Sequence, residues 1–274
     1  MTMLRKTAHA GTFYPRFADQ ITSLLQKWID EAPAANETER CLGLLLPHAG
    51  YIYSGKCATW GMASIAHENV DSFIILHPSH QGMHFDFSLS PYLEYETPLG
   101  NLALDADLYK ALSPCAQQNI ALDYHALEHS MEIQLPLIRY FFPDAKICPV
   151  MIGNQIPAVA SDLAATLYDL VYKSARRIMI LVSSDLSHYH PAKRAEEMDQ
   201  RVARHFLALD AGALWKDDQH GLLEACGIGG IMTLLMMAQR YTSPTARVIH
   251  YTHSGESSGN NSQVVGYLAA KVNL

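Results

Sequence analysis

The sequence predicts an α/β fold: one large domain over residues 1–274, with a mostly parallel central sheet flanked by helices. Three observations carry this. Short apolar runs bounded by Pro, Gly or polar residues recur at 41–46, 72–76, 146–152 and 177–182, and each reads as a buried strand. Stretches of helical spacing separate them, and such alternation argues a parallel sheet covered on both faces. A chain of 274 residues that is 49% hydrophobic suits one large α/β domain with a sizeable core.

Ala10-Gly11-Thr12-Phe13-Tyr14-Pro15 is a turn leading into a helix over 18–29, where Ile21, Leu24, Leu25 and Trp28 keep helical spacing. Residues 31–40 form a polar surface loop. The run from Cys41 breaks at Pro47 and hands over His48; Gly50 and Gly55 relax the chain before a helix over 56–67. The run 72–76 ends in the loop His77-Pro78-Ser79-His80-Gln81-Gly82, punctuated by Pro and Gly. Residues 85–104 alternate weakly, as a hairpin or an irregular excursion, and 105–112 opens on Asp105 and reads as a helix. The polar stretch from His125 to Glu132 precedes a helix over 133–142, whose Pro136 is tolerable in a first turn. A strand at 146–152, a helix at 158–173 and a strand at 177–182 come next. The last of these runs directly into Ser183-Ser184-Asp185-Leu186-Ser187-His188-Tyr189-His190. A charged amphipathic helix covers 192–209. Gly227-Ile228-Gly229-Gly230 breaks the chain before an apolar helix over 231–239, and strands at 246–251 and 263–272 flank a Gly/Ser-rich loop.

The net charge is −7 and no Lys/Arg block stands out, which excludes nucleic acid as an expected partner. The first ten residues lack the apolar core of a signal peptide, and the longest apolar run, 228–238, is too short to span a bilayer. A cytoplasmic protein without membrane attachment is expected. The five cysteines are odd in number and show no paired spacing, so neither a disulfide framework nor a zinc knuckle is expected. Cys41 and Cys148 lie in strand-like runs and read as small buried apolar residues.

Three strand ends deliver His48, His80 and the Asp185/His188 pair, and a fourth break places Cys226 just before a helix. In open α/β sheets, ligands collect at the carboxyl ends of strands. His, Asp and Cys bind transition metals or move protons, and two imidazoles with one anionic ligand leave coordination positions open for O₂ and substrate. Asp185 and His188 suit a proton-transfer pair in which the carboxylate orients the ring. His77 competes with His80, Cys226 reads equally as a buried thiol at a helix start, and His129 reads as a partner of Glu128 or Glu132. A helix N-terminus would lower the Cys226 pKa. Gly255-Glu256-Ser257-Ser258-Gly259 fits a hydrolase elbow, but its continuation, Asn260-Asn261-Ser262, does not look like the required helix. Gly227-Ile228-Gly229-Gly230 lacks the spacing of a dinucleotide loop.

The chain resembles the Memo family, named in bacteria and archaea as protein B of the AmmeMemoRadiSam system. The motifs that carry the resemblance are Ala10 to Pro15, Pro47-His48-Ala49-Gly50-Tyr51-Ile52-Tyr53-Ser54-Gly55, Pro78-Ser79-His80, Glu128-His129-Ser130-Met131-Glu132, Ser183-Ser184-Asp185-Leu186-Ser187-His188, Cys226-Gly227 and Val264-Val265-Gly266-Tyr267. Their joint order spans nearly the whole chain. The resemblance implies a fold similar to class III extradiol dioxygenases, with a metal on His48, His80 and Cys226 and with His188 and Asp185 beside it. Cysteine stands where those dioxygenases place glutamate. His77 stands where many relatives have Gly before Pro-Ser-His. The animal relatives act in phosphotyrosine signalling, and the system name implies a link to a radical-SAM protein and an Ammecr-type protein.

The residues and the resemblance together support two functional readings. In the first, the protein binds Fe(II) or copper, with zinc as a third candidate, in a non-haem dioxygenase-like site. It then performs redox chemistry on a small substrate, with His188 as acid/base, Asp185 as its orienter, and Tyr53, Phe13 and His129 at the substrate. In the second, the same cleft belongs to a non-catalytic peptide- or protein-binding module or to a metal carrier.

Overall fold

The computed structural model describes residues 2–33, 39–117 and 122–274. In chain order they form β1 (Thr2–Arg5), α1 (Ala18–Asp30), β2 (Cys41–Leu46), a π-helical turn (Tyr51–Gly55) running into α2 (Lys56–Ala63), β3 (Ser72–Pro78), β4 (Phe87–Leu89), β5 (Tyr92–Tyr95), β6 (Leu102–Ala103), α3 (Ala106–Leu112), α4 (Leu122–Leu127), α5 (His129–Glu132), α6 (Leu135–Phe141), β7 (Lys146–Ile152), α7 (Pro157–Lys173), β8 (Ile178–Ser183), β9 (His188–His190), α8 (Ala192–Leu207), α9 (Ala211–Gln219), α10 (Ile228–Ala238), β10 (Thr245–His253), α11 (Ser254–Ser258) and β11 (Val264–Asn273). The expected 31–40 loop lies partly outside the described residues.

The main sheet runs β10-β11-β2-β8-β3-β7-β4, with β9 added on β11, and a small second sheet runs β1-β5-β6. Strands β2, β8, β3 and β7 are parallel. Strands β4, β9, β10 and β11 pair antiparallel. The expected α/β architecture is therefore present, with a mixed sheet that is parallel at its centre. The reason lies in the connections. A parallel crossover needs a dozen or more residues, usually a full helix. Only the short α11 and a few loop residues join β10 to β11.

Alternation along the central strands divides the core. Leu42, Leu45, Ile74, Leu76, Ile180 and Val182 face α7 and α10, while Leu44, Leu46, Phe73, Ile75, Met179 and Leu181 face α1, α2 and α6. Strands buried on both faces read as continuous apolar runs, which is why they were legible. Helix α10 begins at Ile228, earlier than its glycines suggest. A Cβ on Gly230 would lie 3.0 Å from Val182 Cγ1, so the small residue lets the helix press onto the sheet. Packing here outweighs the helix cost of glycine. Strand β1 and helices α4 and α9 had no sequence signal. Among the described residues no helix is long and apolar enough to cross a membrane.

The segment after β1 is tied down by charge. Arg5 is 2% exposed, and its guanidinium donates to Glu132 Oε2 (2.7 Å) and to the carbonyls of His125, Ala126 and Glu128. The Glu132 carboxylate also accepts from Ala8 N, His9 N and Tyr14 Oη. Beside it, His125 bonds Ser88 Oγ through Nε2, while its Nδ1 and the Nε2 of His77 are buried without a partner. Burial pushes the His125 pKa down to about 3 and that of His77 down to about 4.

Glu132→Ala would strand a buried guanidinium, and the expected loss is about 3–5 kcal/mol in urea denaturation. Glu96→Ala, at the exposed pair with Lys6, should cost less than about 1 kcal/mol. Equal losses would show that Arg5 is not held by Glu132. Stability should also fall as pH drops from 6.5 toward 4. In that window the unfolded chain protonates its histidines while buried His125 and His77 stay neutral, so the unfolded state binds more protons. Asp185, whose pKa is raised to about 6, shifts the other way and offsets part of the fall. Urea midpoints at pH 7 and pH 5 should differ less for His125→Asn than for the unsubstituted protein; equal differences would refute the assignment to His125.

Candidate metal centre and adjoining cleft

Because β2, β3 and β8 are parallel and in register, with Leu46 opposite Ser183 and Leu76 opposite Val182, their carboxyl ends share one edge of the sheet. The chain leaves each there with a polar residue: His48 after β2, His80 after β3 and Asp185 after β8. Helix α5 starts against the same edge with His129.

His48, His80 and His129 converge. One ring nitrogen of each lies within 4.8 Å of the others. The His80 and His129 rings lie 4.4 Å apart, and His48 stands nearly perpendicular to both at 5.4 and 5.3 Å. His48 is 1% exposed. Its Nδ1 meets Ser183 Oγ at 2.9 Å, and that hydroxyl donates its own hydrogen to Ser130 O at 2.7 Å. Ser183 must therefore accept from His48, which puts the imidazole proton on Nδ1 and leaves Nε2 unprotonated, facing Cys226 Sγ. His80 is held the same way from behind: Glu128 Oε1 accepts from Nδ1 at 2.7 Å, and Oε2 accepts from the His80 backbone N–H at 2.7 Å. A carboxylate behind an imidazole is the usual arrangement for orienting a metal ligand. Burial alone would raise the Glu128 pKa, but the His80 hydrogen bonds and the nearby imidazoles outweigh it and hold the group well below the usual carboxylate range. Burial, then the neighbouring imidazoles, lowers His48 and His129 to about 3 each. Both rings are thus neutral at physiological pH, the state that binds metal.

Cys226 Sγ lies 3.2 Å from His48 Nε2 and accepts from Asp185 N at 3.2 Å. Its position before α10 does not lower its pKa as expected. Burial, and then the Asp185 charge, push the thiol up. The donor set in this structure fits a transition metal: three imidazoles, two of them held neutral by burial, and a thiol alongside.

A cleft of about 400 Å³ opens beside the histidines. It brings together Phe13, Tyr53, His129, Asp185, His188 and Tyr189 from separate stretches of chain. Asp185 is 5% exposed, and burial raises its carboxyl to about 6, against the lowering effect of its hydrogen bonds from His48 N (2.7 Å) and Ala49 N (3.3 Å) and of the His188 charge. Its bonded partners are thus backbone groups, and it reaches His188 through charge. His188 itself donates its backbone N–H to Glu224 Oε2. His77, the competitor of His80, is buried in β3 with its Nδ1 on Ser130 Oγ and Pro78 O, outside the histidine group. The elbow motif spans most of α11 and its C-cap Gly259, and Ser257 is exposed.

The sequence offered Glu128 as a partner of His129, whose Nδ1 lies 3.4 Å from Glu128 Oε1, but gave no role to Ser183 or to Gln134, whose Nε2 donates to Ser183 Oγ at 3.0 Å. The one available signal was Glu128 at the N-cap of α5, where it accepts from Ser130 N.

The model of the Memo-like protein family matches residues 5–271. A MEMO1 family protein of Desulfurococcus amylolyticus is 34% identical over 96% of both chains, and one of Ignicoccus hospitalis is 33% identical over 99% of both. A MEMO1 family protein of Thermotoga petrophila is 34% identical over 98% of this chain and 99% of its own. In fold, the structure is similar to the crystal structure of an uncharacterized Escherichia coli K12 protein, with a TM-score of 0.50 at 12% identity, covering 84% of this chain and 99% of that one. A family match over almost the entire length, with relatives above 30% identity from end to end, places this chain in the Memo family.

Proposed function

We propose that this protein binds iron or copper at the histidine cluster and performs redox chemistry on a small molecule in the adjoining cleft. The observation that supports it best is the grouping of three imidazoles with their donor atoms within 4.8 Å. His48 and His80 would hold the metal, with His129 as third imidazole and Cys226 as the neighbouring thiol. Imidazole donors suit zinc, copper and iron alike; the adjacent thiol favours the softer members and disfavours Mg²⁺. A redox metal there would supply electron transfer and open positions for O₂ and substrate. The chain's own residues do the rest. Ser183 and Glu128 fix the two ligand tautomers. His188 gives or takes a proton on the cleft wall. Asp185 anchors the backbone of His48 and shares the cleft wall with His188.

Elemental analysis of protein purified without air and without a metal-affinity tag tests the site. His48→Ala should reduce near-stoichiometric iron or copper to background. Unchanged metal content, or none in the parent protein, would overturn the reading and favour a binding module. Cys226→Ser should lower metal content more than Cys148→Ser, since Cys148 is buried in β7, away from the histidines. Equal content would remove Cys226 from the ligand set. Glu128→Gln should weaken metal affinity by roughly 10–100-fold, the usual effect of losing a ligand-orienting carboxylate. Titration with a competing chelator measures this, and unchanged affinity would assign Glu128 a purely structural role.

A further inference from the structure

The cleft's lining restricts what it can hold. Its walls carry four aromatic rings, Phe13, Tyr53, Tyr189 and Tyr267, and two carboxamides, Asn260 and Gln263. Among the described residues that line it there is one carboxylate, Asp185, and no Lys or Arg. Away from the metal, an anionic ligand would shed its hydration and face Asp185 with no fixed cation on the walls, the His188 imidazole being the ionisable group opposite it. The two carboxamides are neutral hydrogen-bonding groups. Asn260 Oδ1 accepts from Ser262 N and Oγ, which leaves its amide donors available, and Gln263 is exposed at the mouth.

Tyr189 adds an independent observation. Its φ is 60°, in the left-handed region that a bulky side chain enters only under strain. The strain is maintained by specific contacts on both sides. Glu224 accepts from the His188 backbone N–H at 3.0 Å and pairs with His190 Nε2 at 2.9 Å, while β9 pairs with β11 at Val264 and Val265. The residue so held is 71% exposed and lines the cleft. Core packing does not call for an exposed ring on a strained backbone. Contact with a ligand does.

We infer that the cleft takes a flat, uncharged, hydrogen-bonding small molecule, such as an amide-bearing ring, and that Tyr189 selects it by stacking on its face. The inference takes the site's location from the metal-binding reading but depends on the cleft walls, not on the metal. Protein-detected NMR titrations with benzamide, benzoate and phenyl phosphate test it, in the parent protein and in His48→Ala. In His48→Ala, where no metal can capture the carboxylate, benzamide should bind about tenfold more tightly than either anion. Tyr189→Gly should weaken benzamide about fivefold, the scale of one aromatic contact, while keeping or raising the melting temperature because the strain is relieved. A merely structural tyrosine would lose stability instead. Benzoate or phenyl phosphate binding as well as benzamide, no probe shifting the cleft resonances, or benzamide affinity unchanged in Tyr189→Gly would each overturn the inference. Loss of the metal result with the benzamide preference intact would defeat only the metal reading, and the converse would defeat only this one.

Discussion

Two carboxylates on one turn, Glu128 and Glu132, organise this end of the molecule. Both are fully buried, and each is compensated by partners from elsewhere in the chain. Glu132 binds Arg5 and gathers the backbone of the segment that carries Phe13 to the cleft. Glu128 caps α5 and takes both hydrogen bonds of His80. A buried charge is costly unless it is paired, so neither group tolerates a loose neighbourhood. The same four-residue helix therefore fixes the N-terminal arm on one side and the His80 loop on the other. His129, the first residue of that helix, is placed among the other imidazoles as a consequence.

The strand framework was legible because its physics is local. The runs at 41–46, 72–76 and 177–182 are apolar on both faces, and each ends sharply in polar residues, so the positions of His48, His80 and Asp185 at a common edge could be read directly. The grouping of imidazoles could not. His129 joins His48 and His80 across many intervening residues, through a helix too short for periodicity to register. Strand β1 escaped for a similar reason: its partner β5 lies far along the chain, and a four-residue strand has little pattern of its own. The antiparallel flank of the sheet comes from a connection length that hydrophobic periodicity does not report.

Glycines mark where the site depends on close backbone approach. A Cβ on Gly227 would meet Ser183 O at 2.5 Å, which brings Cys226 and the start of α10 against the end of β8. A Cβ on Gly266 would collide with the Asp199 carboxylate, which receives Ser187 N and Tyr251 Oη. The loop from Ser183 to His188 is thus gripped from two sides. That grip accounts for a buried aspartate within it whose oxygen serves the backbone of a different strand end.

The molecule accepts instability in return for readiness at this edge. Buried imidazoles that resist protonation weaken the fold as pH falls, yet neutrality is the state in which they can bind metal. Tyr189 on its left-handed backbone obeys the same logic, since a glycine there would cost less. Strain and desolvation of this kind survive only where the surrounding structure over-determines them. Here Glu224 bonds the residues on either side of Tyr189, while Ser183 and Glu128 fix the rings of His48 and His80. The residues they position, His48, His80 and the backbone around Tyr189, lie at or beside one cleft.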